Sequence, residues 1–65
     1  MTDQELIRKY ALDTIERNYK SLLTYKTSTQ QKYCWGLANM ACTCGVISIE
    51  ELDEWIAKIQ EVKVL

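Results

Sequence analysis

Gly45-Val46-Ile47-Ser48-Ile49-Glu50-Glu51-Leu52 ends one helix and begins another within eight residues. A glycine just past a helical segment takes the left-handed conformation that closes the last turn. Three residues later, the Ser48 hydroxyl is placed to accept from the backbone N–H of Glu51, whose carboxylate reaches back to the Ser48 N–H. Ile47, just before this cap, is placed to pack on Leu52 as a hydrophobic staple. The stretch therefore predicts two helices joined as a tight hairpin.

Working outward, Thr2-x-x-Glu5 and Ser28-x-x-Gln31 repeat the same start signal, each ahead of apolar residues at helical spacing. The expected fold is an all-α, compact three-helix domain, with helices at about 3–24, 29–44 and 49–62 and one domain over 1–65. The composition agrees, with no proline, two glycines and many Leu, Ile, Ala, Glu and Lys. A chain of 65 residues buries only about 60% of the surface its unfolded form exposes, so its single core is marginal.

In the first helix, Ile7, Ala11, Ile15, Tyr19 and Leu22 form one stripe at 100° per residue, widened by Leu12 and Leu23. That stripe is the expected core face. Leu6 and Tyr10 pair at i, i+4 on the other side, either under a neighbouring element or as an exposed contact patch. In the third helix the expected buried set is Ile49, Leu52, Ile56 and Ile59, with Trp55 at the margin. Its far side carries Glu50, Glu54 and Glu61, flanked by Glu51 and Asp53. First-turn carboxylates favour the positive end of the helix dipole, so a solvated face accounts for much of this acidity. An acidic docking surface is the alternative.

The second helix has apolar residues on two sides. One face carries Tyr33, Leu37, Met40, Ala41 and Cys44, and the opposite face carries Trp35, Ala38 and Cys42 where charges are usual. Two arrangements satisfy this pattern. Either helix 2 lies between helices 1 and 3 with Trp35 sealing an edge beneath the 24–28 connection, or Trp35, Ala38 and Cys42 form a seam with another molecule. Gly36 costs roughly 1 kcal/mol of helix propensity, which implies a packing reason for it.

Charge and chemistry exclude several classes. The net charge is −1, yet residues 1–44 carry six basic and four acidic side chains while residues 45–65 carry two and five. Without histidine the chain lacks the commonest general base and imidazole metal ligand. Cys42 and Cys44 fall about 160° apart on a helix, so they do not chelate one ion from the same face, and Cys34 faces elsewhere. The three cysteines read as reduced, buried small hydrophobes in a cytoplasmic protein. No glycine-rich phosphate loop is present. The chain is expected to be non-enzymatic, with no cofactor and no metal. The uncharged stretch 33–49 is short for a membrane span and is broken by Gly36, Asn39, Thr43 and Gly45. The N-terminal residues are acidic where a secretory signal is basic.

The helix-glycine-helix unit has the outline of a DNA-binding helix-turn-helix. Its second helix, however, would offer Glu50, Glu51, Asp53 and Glu54 to phosphates, which repel them. No direct nucleic-acid contact is expected. The segment 45–52 resembles instead the G-[IL]-[IL]-[ST]-x-E-E core of short C-terminal (SHOCT-type) helical hairpins, which is similar to segments of many small proteins of Gram-positive bacteria and their phages. The resemblance spans about residues 45–59 and implies oligomerisation.

Two functions follow as expectations. The first is a self-associating protein-protein interaction module, with Trp35, Ala38 and Cys42 as the seam and Leu6 and Tyr10 as a second patch. The second is an inhibitor or decoy of phage or mobile-element type. In it, Glu50, Glu51, Asp53, Glu54 and Glu61 would occupy a basic surface on a host nucleic-acid-handling protein.

Overall fold

The computed structural model describes residues 2–65, which form three helices: α1 (Asp3–Tyr25), α2 (Ser28–Thr43) and α3 (Ile49–Glu61). This is the expected all-α three-helix arrangement. α2 lies in the middle, its backbone close to α1 along one flank and to α3 along the other, while α1 and α3 meet through side chains such as Arg8 with Glu51 and Tyr19 with Trp55.

Local chemistry sets the helix ends. Thr2 caps α1 by accepting from the Glu5 N–H at 3.2 Å. Ser48 and Glu51 complete a full capping box on α3, with bonds of 3.0 and 3.1 Å. At the second start the cap is Thr27, whose hydroxyl oxygen accepts from the Gln30 N–H at 3.1 Å, in place of the expected Ser28. The one-residue shift frees Gln31 from capping. Its Nε2 donates instead to the Ile59 and Val62 carbonyls at 3.0 and 3.2 Å, closing the end of α3. α2 ends in a Schellman motif: Gly45 has φ 74°, its N–H donates to Cys42 O at 2.9 Å, and the Val46 N–H donates to Ala41 O at 2.8 Å.

The core consists of two small clusters and the fully buried Ala38. Leu22, Cys34, Ile59 and Val62 form one, and Ile15, Ala41 and Ile47 form the other. Leu52 packs against the second cluster, as a staple residue should. Trp55 borders both clusters and meets the Tyr19 ring edge-on, with centroids 5.7 Å apart, while the Lys58 ammonium lies 4.9 Å from the Trp55 ring centre. Three expected core positions are exposed, Leu23 at 45% among them. Ile7 is 55% exposed and Ile49 67%, because each sits at the edge of its stripe in the first turns of its helix, beyond the reach of the neighbouring helices.

The faces of α2 also differ from expectation. Its buried line is Cys34, Ala38 and Ala41, flanked by half-buried Leu37 and Cys42, whereas Tyr33, Met40 and Cys44 point out. A middle helix is approached from two sides at once, and only small side chains along its centre let both neighbours close in.

One ion pair ties α1 to the α2–α3 corner. Arg8 holds Glu51 in a two-toothed contact, Nη1 to Oε1 at 2.8 Å, and the same Nη1 donates to Val46 O at 3.2 Å. The Arg8 guanidinium and the Ser48 N–H together hold the Glu51 carboxyl at a pKa of about 2. A folded pKa below the unfolded value of about 4.3 means that the stabilisation is complete above that value and is lost as the pH falls towards 2. Thermal unfolding followed between pH 6 and pH 2 is expected to show a falling midpoint in this window. Arg8→Met is expected to lose stability at pH 6 and to flatten the fall.

Candidate interaction surface

Among the described residues eleven large apolar side chains are exposed, against eight apolar residues in the core, so the informative features lie on the outside. They separate by the flank of α2 on which they fall. On the α1 side, a shallow groove is lined by Tyr10, Ala11, Thr14, Leu37, Met40 and Cys44, among others, and none of its lining residues is charged. Tyr10 and Met40 on its rim are each 62% exposed. Beyond Val46 and Cys44 the surface continues to Ile7 and then meets Gln4, Glu5 and Arg8.

The residues expected to form a seam part company. Ala38 is fully buried in the core and is removed from any surface. Cys42 is half-buried against the Ile15, Ala41 and Ile47 cluster. Trp35 is 47% exposed and lies one turn beyond Gln31, whose side chain bonds to the end of α3, so it falls on the α3 side of α2. Leu6 and Tyr10 are both exposed, and Tyr10 joins the α1–α2 groove. Ile7, expected on the core stripe of the first helix, and Met40, expected on one apolar face of the second, are the other exposed apolar members of this surface. Helical spacing places them beside buried neighbours, and only the offset between helices of unequal length reveals them.

Of the acidic set, Glu50, Asp53, Glu54 and Glu61 are exposed and, among the described residues, none makes an ion pair within 4.0 Å. Glu51 differs, being engaged by Arg8 and Ser48. Nothing in sequence spacing pairs residue 8 with residue 51.

Among the described residues no three Cys, Asp or Glu side chains gather as a metal would require, and no helix is long and apolar enough to cross a membrane. The three thiols are free and graded in exposure. Cys34 is fully buried, and burial pushes its pKa up, opposed by the Gln30 Nε2 contact at 3.8 Å. Alkylation followed by mass spectrometry is expected to modify Cys44 first and Cys42 later. Cys34 should react at least about 100-fold more slowly than Cys44, because it becomes reachable only when the domain opens.

Gly36 lies on the outer face of α2, and a Cβ built there meets nothing within 4 Å. Nothing inside the chain requires this glycine. Gly36→Ala is expected to raise the unfolding free energy by about 0.5–1 kcal/mol in urea titration.

No family model matches the chain, and neither a curated protein nor a solved structure matches it.

Proposed function

We propose that this chain is a non-enzymatic protein-protein interaction module that associates with copies of itself, using the charge-free surface between α1 and α2. The observation that supports this reading is the groove of Tyr10, Leu37, Met40 and Cys44, which has no charged residue in its lining. Aromatic and methionine side chains on such a strip suit a protein partner, since they bury large areas at modest entropic cost. The thin core points the same way, because a second copy would supply burial that one chain lacks. The resemblance of residues 45–59 to SHOCT-type hairpins also fits oligomerisation. Free thiols on a helical domain suit the cytoplasm.

Light scattering in reducing buffer is expected to give a mass that rises with concentration. Tyr10→Glu and Met40→Glu should each hold the mass at that of one chain while leaving helical circular dichroism unchanged, and Trp35→Glu should leave association intact. If Trp35→Glu alone dissociates the protein, the contact lies on the α3 side of α2 and not in this groove.

A second reading rests on the exposed carboxylates of Glu50, Asp53, Glu54 and Glu61, which have no ion-pair partner among the described residues. They suit a basic surface, such as that of a host nucleic-acid-handling protein occupied by an inhibitor of phage or mobile-element type. Under that reading, Glu50→Lys combined with Glu54→Lys abolishes binding to the basic partner and leaves the self-associated mass unchanged.

A further inference from the structure

Asp3, Tyr10 and Arg17 are spaced seven residues apart on α1, so they lie on one stripe at intervals of about 10.5 Å. Leu6 and Thr14 fall one turn to either side of Tyr10 on the same stripe. All five are exposed, and neither Asp3 nor Arg17 makes an ion pair among the described residues. Read from its two ends, the stripe runs acid, leucine, tyrosine, threonine, base.

We infer that two copies pair through this stripe with their α1 helices antiparallel, Tyr10 facing Tyr10 on the two-fold axis and Asp3 of each copy facing Arg17 of the other. The inference rests on the self-association proposed above and specifies its register. A rotation about Tyr10 carries residue 3 onto the level of residue 17 and residue 6 onto that of residue 14, so one stripe is complementary to itself, as a two-fold contact requires. Leu6 then meets Thr14, whose hydroxyl already donates to the Tyr10 carbonyl at 2.8 Å and leaves no unpaired donor to bury. Ile7 and Met40 border the contact on the groove side.

Charge favours α1 over α3 as the self-pairing element. α1 carries Asp3, Glu5, Asp13 and Glu16 against Arg8, Lys9, Arg17 and Lys20, an even balance. α3 carries five carboxylates against Lys58 alone, so two copies of α3 repel each other. The N-terminal part of α1 is also free of cover: every residue from Thr2 to Tyr10 is exposed.

The test uses charge exchange and a crosslink on the whole chain. At low ionic strength Asp3→Arg and Arg17→Asp should each weaken the dimer about ten-fold in analytical ultracentrifugation, since each turns two attractions into repulsions. The double variant, which restores both pairs with signs exchanged, should return to within about two-fold of the parent. In a Cys44→Ser background, Tyr10→Cys treated with oxidised glutathione should give a covalent dimer, because helices packed 8–10 Å apart bring axial Cα atoms within disulfide reach. Glu16→Cys, on the far side of α1, should not. A dimer that ignores the charge exchange and does not crosslink at position 10 overturns this register and leaves self-association standing. A chain that stays monomeric at millimolar concentration overturns both.

Discussion

The small side chains along the centre of α2 are the constraint on which the rest of the molecule depends. Cys34, Ala38 and Ala41 lie where α1 and α3 both press on α2. Larger residues there would push one neighbour away, at a cost of about 1–3 kcal/mol for each overpacked position. The bulk of the core must then come from the outer helices, from Ile15 and Leu22 on one side and Ile59 with Trp55 on the other. The large apolar residues of α2 have no room inward. Tyr33, Trp35 and Met40 are displaced to the surface by the same packing that holds the helices together, and the exposed face follows from the fold.

That logic also explains what the sequence made legible. The helix count, the hairpin and the stop at Gly45 could be read because caps act over three or four residues and carry their own chemistry. The Ser48 box and the Gly45 turn formed as their spacing implies. The second cap moved by one residue because Thr27, Ser28 and Thr29 offer three adjacent hydroxyls, and Gln31 has a better use in holding the Ile59 and Val62 carbonyls. The faces of α2 could not be read in this way. Periodicity locates a stripe by its apolar side chains, and Met40 and Tyr33 carry more apolar surface than Ala38 and Cys34. A middle helix inverts that ranking, since size and not polarity decides which side faces its neighbours.

Glu51 shows the same limit for charge. Its place in the capping box could be seen from Ser48 three residues earlier, but its contact with Arg8 spans 43 residues and exists only because α3 folds back beside α1. One carboxylate thus joins the start of α3 to the second turn of α1 and, through Arg8, to the Val46 carbonyl in the intervening loop. Fixed this way it leaves the acidic face, which consists of Glu50, Asp53, Glu54 and Glu61. Sequence alone could group five acids on one helix without showing that one of them serves the fold.

The inequality of the helices links this architecture to association. α1 has 23 residues, α2 has 16 and α3 has 13, so α1 extends past the bundle along the 40 Å axis of the molecule. A helix in water is held mainly by burial of one face, and its overhanging turns contribute little to that burial. Here the overhang is capped at Thr2, anchored by Arg8 and furnished with Leu6, Ile7 and Tyr10. Cap and anchor keep these turns helical without a core beneath them, so the apolar residues are presented in fixed geometry before any partner arrives. Preorganisation of this kind lowers the ordering cost of association. Stability and association are therefore coupled at Arg8, because loss of its contact with Glu51 would free the α1 segment that presents the apolar face.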